Sequence, residues 1–392
     1  MKYIVVHAGA RDWYRLAISL YENDRLAYLV TDDIIFRKEY RNLFPKKMIK
    51  ISWMALFFKL LEKIISSKMG FNIYKDYWLG RKAGKLSNKK KLPIFSCCRY
   101  AMTAFGISKI HPKILFQYHP QSGCVKEILQ DEINKNPTAK KTILEETEFR
   151  YTKKQLDNSV LEVKLSDFAV GASTFTLKTL IKQGMPENCV HLAPYGVNIK
   201  DFKPREKFKK IDKMHFLFVG SFSQRKGISY LLQAFKELEE AGENISLTMA
   251  GRGIMDYDLV KSYNLKCLET HINLPIEKLV KLMQESDVFV FPSICEGFGL
   301  VLIQAMATGL PVITTFNTSG PDFIKEGEDG FLIEAQNVDA IKNKIKYFIE
   351  NPDEVKRMGL NAITKSKEFS WERFSAEIIK SVDEAEKLFS GQ

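Results

Sequence analysis

Two short motifs in this 392-residue chain combine an acid, two adjacent cations and several glycines at spacings that suit one ligand. The first is Glu296-Gly297-Phe298-Gly299, which follows the apolar run Val288-Phe289-Val290-Phe291 and precedes a helical stretch that begins at Leu300. A strand, a tight turn and a helix opening from that turn aim backbone N–H groups and a helix dipole at one point, which suits a phosphate. Gly297 and Gly299 let the backbone approach a ligand with no side chain in the way. Glu296 stands where it can accept hydrogen bonds from hydroxyl groups on the same molecule. The second motif, Gly220-Ser221-Phe222-Ser223-Gln224-Arg225-Lys226-Gly227, also follows an apolar run and opens a helix. Arg225 offers a planar fork of donors and Lys226 a compact charge, which suits a diphosphate; the alternative is a solvated basic turn. Together the two motifs point to a nucleotide-sugar site.

Further candidates sit after other apolar runs. His119 follows residues 113–117, where it can bond a sugar hydroxyl, move a proton, or simply cap or fill the core. Gly9, in the turn Ala8-Gly9-Ala10-Arg11, admits a phosphate or acceptor or forms a plain turn. His7 reads as structural, and Glu145, Glu146 and Glu148 read as a solvated acidic helix face. The six cysteines show neither metal spacing nor a disulfide framework, as in a reducing cytosol.

These residues need a scaffold that brings distant loops to one edge. A chain of this length exceeds one compact core, so two domains are expected. Short apolar runs alternate with helical stretches throughout, which implies an α/β protein with parallel sheets covered on both faces. Runs at 3–6, 26–30, 113–117 and 168–170 belong to the first domain; those at 215–219, 247–250, 288–291, 312–315 and 331–333 belong to the second. Ser173 reads as the N-cap of a helix through residues 177–182. The charged, aperiodic stretch 204–213 reads as a linker, which divides the chain into 1–203 and 214–371, with an amphipathic tail helix beyond. Ligands in such sheets bind at the carboxyl ends of strands, so the functional loops are 9–11, 118–120, 220–227, 251–253 and 295–299.

Charge is uneven along the chain. Residues 1–150 carry 28 Lys and Arg against 14 Asp and Glu, whereas residues 151–392 carry 31 against 33. The formal net charge of +12 therefore comes from the front, which attracts membrane headgroups or lipid-linked phosphates, or is a solvated Lys-rich surface. No RNA- or DNA-binding module accompanies it, and nucleic acid is not an expected partner. Segment 52–69 has helical apolar spacing with lysines between, as in a helix that lies on a membrane or packs on its own sheet. No run reaches the roughly 20 apolar residues of a bilayer span, and residues 1–6 are too short for a secretion signal. The expected location is cytoplasmic, with a peripheral contact on the anionic inner face of the plasma membrane.

The Glu296-Gly297-Phe298-Gly299 loop, the Arg225-Lys226-Gly227 turn, and Ala193-Pro194-Tyr195-Gly196-Val197-Asn198 ahead of Phe202-Lys203-Pro204 together resemble glycosyltransferase family 4. The resemblance runs from about residue 166 to the end and more weakly through the front. It implies the type-B glycosyltransferase fold: two Rossmann-like doubly wound domains facing across a cleft, the last helix crossing back onto the first domain. It implies transfer of a sugar from a nucleotide-diphosphate donor with retention of configuration, without cofactor or catalytic metal. The acceptor would be a glycan or lipid-linked, in bacterial surface polysaccharide synthesis. By position, Arg225 and Lys226 would hold the diphosphate, Glu296 the sugar hydroxyls, and the Phe298, Gly299 and Leu300 amides the phosphate. Gly220, Ser221 and Gly297 would line the donor, Gly9 the cleft, and His119 would touch the sugar.

Two positions depart from the family pattern. Gln304 stands where the second glutamate of Glu-x7-Glu accepts both ribose hydroxyls, which implies a loss of about 1 kcal/mol in donor binding. Ser221 stands where many members carry arginine, a charge that Arg225 would replace. The other readings are a nucleotide-sugar-binding subunit without catalysis and a nucleotide-sugar epimerase. A dinucleotide-dependent dehydrogenase is disfavoured, because Ala8-Gly9-Ala10 lacks the Gly-x-Gly-x-x-Gly pattern.

Overall fold

Apolar runs of four or five residues form the central strands, and they are buried on both faces, as parallel strands between helices must be. The structure is a computed structural model and describes residues 1–7, 11–31, 48–50, 71–208 and 210–390. Gly9 and the basic segment 52–69 lie outside the described residues.

The first parallel sheet contains β1 (Tyr3–Val6), β2 (Leu26–Thr31), β3 (Met48–Lys50), β4 (Ile94–Cys97), β5 (Lys113–Gln117), β6 (Phe168–Gly171) and β7 (Val190–Leu192). Its order is β3-β2-β1-β4-β5-β6-β7. The second contains β8 (Met214–Phe222), β9 (Ile245–Met255), β10 (Leu268–Ile272), β11 (Val288–Phe291), β12 (Val312–Thr315) and β13 (Gly330–Ile333), in the order β10-β9-β8-β11-β12-β13. In each sheet the winding reverses once, between β1 and β4 and between β8 and β11. Loops leaving the carboxyl ends of strands at such a reversal diverge and leave a crevice. The expected pair of doubly wound sheets is thus the observed architecture.

One expected loop proves to be strand and another begins in one. β8 and β9 pair as far as Gly220 with Gly251 and, past a bulge, Phe222 with Met255. Gly220 and Ser221 therefore lie in β8, and residues 251–253 lie in β9, because each strand supplies the other with backbone partners beyond the rest of the sheet. The stretch expected to be a linker is also partly anchored. Arg205 donates from its backbone N–H to Thr308 O at 3.1 Å and from its guanidinium to Ser286 O at 2.6 Å, capping the carboxyl ends of two helices.

The chain returns to its beginning. Helix Trp371–Ser390 buries Phe374, Ile378, Val382 and Ala385 and packs against helix Arg15–Glu22 of the first domain. Its Glu386 accepts hydrogen bonds from the N-terminal amine at 2.8 Å and from Arg25 at 3.0 Å. His191 of β7 lies between Glu377 and Glu384, at 2.9 and 2.8 Å. The outgoing and returning crossings run side by side: Val197 N–H donates to Phe369 O at 2.9 Å, and a Cβ on Gly196 would lie 2.5 Å from the Trp371 nitrogen. Among the described residues no helix is long and apolar enough to cross a membrane.

Candidate active site

β8 and β11 are neighbours, so the segments that leave them meet. After β8 the turn Gln224–Lys226 ends at Gly227, whose φ of +73° opens helix Ile228–Glu240. Glycine is required there twice over, since a Cβ would lie 2.1 Å from Pro292 O as well as strain the left-handed backbone. After β11 the chain passes through Cys295 to Gly299, whose φ of +75° starts helix Leu300–Thr308 with no side-chain cap. The two segments are zipped together: Ile294 N–H and Ser293 Oγ both donate to Arg225 O, at 2.9 and 3.1 Å.

That zipper sets Lys226 Nζ directly against Glu296 Oε2. The other carboxylate oxygen, Oε1, accepts the Gly297 N–H at 3.0 Å, and the ammonium also lies over the Phe291 ring at 5.3 Å. Burial, and then the Arg225 guanidinium, push the Lys226 ammonium down to about 7, while Glu146 and Cys295 pull the other way. Lys226 and Glu296 are each about one-sixth exposed, so the pair is open on one side.

Arg225 is placed differently from a solvated clamp. It is 8% exposed, and its guanidinium donates to Cys295 O at 3.1 Å, to Glu146 Oε2 at 3.3 Å and to His119 Nε2 at 3.1 Å. Because Arg225 can only donate, His119 Nε2 accepts, and Nδ1 carries the hydrogen that it gives to Pro120 O at 2.9 Å. Arg225 therefore joins the two domains and orients His119. The acidic cluster read as a solvated face is overturned in two of its three members. Glu146 and Glu148 are 7% and 2% exposed and face Arg225 and His119, whereas Glu145 is exposed. Ser223 and Arg225 of the second domain hold Glu146, whereas Glu148 faces His119 of the first, and no local pattern announces either.

The remaining expected residues fall around this centre. Gly297 abuts the first domain: a Cβ there would meet Tyr118 O at 2.6 Å and His119 Cα at 3.0 Å. Its carbonyl accepts from Ser173 and from Thr176 Oγ1, the first turn of helix Thr174–Lys182, and Ser173 caps that helix as expected. The Phe298 carbonyl accepts from Ser319, and its ring packs edge-on to Tyr195 at 5.4 Å. Gly220 and Ser221 are half-buried in β8, Gln304 is half-buried on helix Leu300–Thr308, and Leu300 begins that helix. Around them Val125, Leu129, Ala139 and Ile143 of the first domain pack with Ile294 and Cys295 of the second. Fully buried Glu132 accepts from Gln224 at 2.6 Å and Tyr230 at 2.9 Å across the same boundary.

Residues 199–365 match the family described as Glycosyl transferases group 1. That match covers less than half of the chain and marks the segment as similar to that family. A capsular polysaccharide biosynthesis glycosyltransferase of Staphylococcus aureus is 33% identical over 187 residues, 45% of this chain and 47% of that protein. The alignments span about half the length of the curated relatives they match. Among solved structures, a sucrose-phosphate synthase from Thermosynechococcus elongatus superposes with a TM-score of 0.68 at 18% identity, covering 100% of both chains. An Anabaena protein solved in complex with UDP and glucose gives 0.61 at 14% identity, covering 98% of this chain and 99% of that one. At such identities these likenesses show the fold alone, over both domains of the chain.

Farther into the first domain, Glu162 is 4% exposed and accepts the Met102 N–H at 3.4 Å. Burial pushes its carboxyl up to about 7, with Asp76 adding to the rise and backbone N–H groups and Arg99 opposing it. Between its ordinary value and 7 the folded chain holds a proton that the unfolded chain has released, so stability falls as pH rises through that window. Glu162→Gln should flatten that slope and stabilise the protein at pH 8 by up to about 3 kcal/mol, with little effect at pH 4. Urea unfolding at the two pH values measures it; an equal effect at both would contradict the assignment.

Proposed function

We propose that the chain is a retaining glycosyltransferase that moves one hexose-type sugar from a nucleotide-diphosphate donor to a glycan or lipid-linked acceptor, in the making of a bacterial surface polysaccharide. The observation that carries this reading is the Lys226–Glu296 pair, held beside the uncapped start of helix Leu300–Thr308 and against the first domain. A cation and a carboxylate side by side match the two unlike parts of a sugar diphosphate. On this reading the entering diphosphate competes for Lys226, and the carboxylate so released takes sugar hydroxyls. Negative charge developing on the leaving diphosphate meets the ammonium and the first amides of the helix, the kind of fixed electrostatic help that is usually the largest catalytic contribution. Positive charge from those groups leaves no step that requires a resident metal. The contact of Gly297 with Tyr118 and His119 excludes water from the reacting centre. The Staphylococcus aureus relative supports the acceptor class, and the Anabaena complex supports the donor class. The basic front supports work at an anionic membrane face.

The test is a panel of uridine, guanosine and adenosine diphosphate sugars with glycan and lipid-linked acceptors, read as nucleoside diphosphate release and product. Tight binding of one donor with turnover on no acceptor would favour the binding-subunit reading instead. Gln304→Glu should tighten donor binding roughly fivefold, the equivalent of about 1 kcal/mol, by calorimetry. Weaker binding would mean that the ribose is held by other groups.

A further inference from the structure

A pocket of about 160 Å³ in the first domain has His119 and Glu148 in its wall, so it adjoins the cluster that joins the domains. It lies among the end of β5 and the helices Phe71–Lys90, Thr147–Arg150 and Lys153–Leu165. Most of its charged groups are already engaged. Arg99 lies 3.5 Å from Asp76, and Glu162 accepts the Met102 N–H. Glu148 is the exception. It is 2% exposed, its Oε1 lies 3.6 Å from His119 Nε2, and its Oε2 has no hydrogen-bond partner among the described residues. A buried carboxylate oxygen without a donor is rare and costly, and a pocket at that residue is where a donor would arrive.

We propose that this pocket seats the acceptor sugar, that it takes an uncharged, hydroxyl-rich ring, and that Glu148 Oε2 receives a hydrogen bond from one of the ring's hydroxyl groups. Only the word acceptor rests on the transferase reading; the pocket and its chemistry stand apart from it. A phosphate or uronate placed here would meet Asp76 and Glu148 with one guanidinium to face it, and that guanidinium already faces Asp76. A neutral ring brings donors to the carboxylates instead. The rings of Tyr77, Tyr118 and Tyr151 in the wall suit the C–H face of a pyranose. The negative charge of this pocket lies within a strongly basic front, so the basic surface and the ring site answer to different parts of an acceptor.

Binding is measured by saturation-transfer NMR with methyl hexopyranosides, methyl glucuronide and glucose 6-phosphate, on wild type, Glu148→Gln and Tyr77→Ala. Nucleoside diphosphate affinity is measured on the same samples. Neutral glycosides should bind wild type at least tenfold more tightly than either charged sugar. Glu148→Gln should weaken them tenfold or more, as loss of a hydrogen bond to a charged group does. Tyr77→Ala, at a site 41% exposed, should weaken them severalfold without touching the fold. The proposal is overturned by equal or tighter binding of the charged sugars. It is also overturned if Glu148→Gln, with nucleotide affinity intact, binds the neutral glycosides within twofold of wild type. Neutral glycosides bound by a wild type that takes no nucleotide would instead break the transferase reading and leave the pocket standing.

Discussion

Lys226→Met should lower kcat/KM for transfer by about a thousandfold, as loss of one fixed group that stabilises transition-state charge does. Glu296→Gln should cost about tenfold to a hundredfold, because an amide still accepts one hydroxyl hydrogen bond. The pair also holds the loops together, and this separates two effects that a single substitution confounds. Removing Lys226 alone strands a largely buried carboxylate, which should destabilise the second domain by about 3–5 kcal/mol. The double substitution Lys226→Met with Glu296→Gln strands nothing and should restore most of the stability while leaving transfer abolished. Chemical denaturation and initial rates on all three variants check it. Transfer within tenfold of wild type in Lys226→Met would remove Lys226 from the reaction.

Gly297→Ala should cost transfer at least a hundredfold while nucleotide affinity stays within about threefold, because a misplacement of about 1 Å at a reacting centre has that effect. The added Cβ would lie 2.6 Å from Tyr118 O and 3.0 Å from His119 Cα. Both are backbone atoms, so neither can turn aside, and the two domains must part locally. Parting also lengthens the bonds from Ser173 and Thr176 to the Gly297 carbonyl and the reach of Arg225 to His119. The loop from Cys295 to Gly299 itself belongs wholly to the second domain and keeps its shape. Small-angle scattering should register a larger radius of gyration. Undiminished transfer would show that the domain contact at Gly297 has no part in the reaction.

How much of this was readable depended on where each residue's environment comes from. β5, β11 and β12 were plain because strands buried on both faces are built on short continuous apolar runs, here flanked in β5 by Lys113 and Gln117 and ended in β12 by Thr314 and Thr315. β7 and β10 escaped notice because they are edge strands with polar residues such as His191, Glu269 and His271, which look like loop. That the Lys226 and Glu296 loops share one sheet edge was legible because both follow strands; that the strands are neighbours and the two side chains pair was not. Glu146 and Glu148 were not, since Glu146 meets Arg225 from 79 residues away and nothing in Glu145-Glu146-Thr147-Glu148 marks two of three acids as buried. What the sequence did not show of Arg225 is that its guanidinium bonds Cys295 O, Glu146 and His119 in the boundary between domains.

The two crossings between the sheets behave like a door hung from one post. Where Gly196 and Val197 touch the segment Phe369–Trp371, outgoing and returning chain are fastened to each other, so neither crossing can lengthen alone. The domains therefore cannot drift apart like beads on a string; they can only swing about that seam. A swing of a few degrees displaces atoms in proportion to their distance from the axis. Glu132 and its partners Gln224 and Tyr230, which bond across the domain boundary, would serve as the latch of such a swing, while the backbone at Gly196 hardly moves.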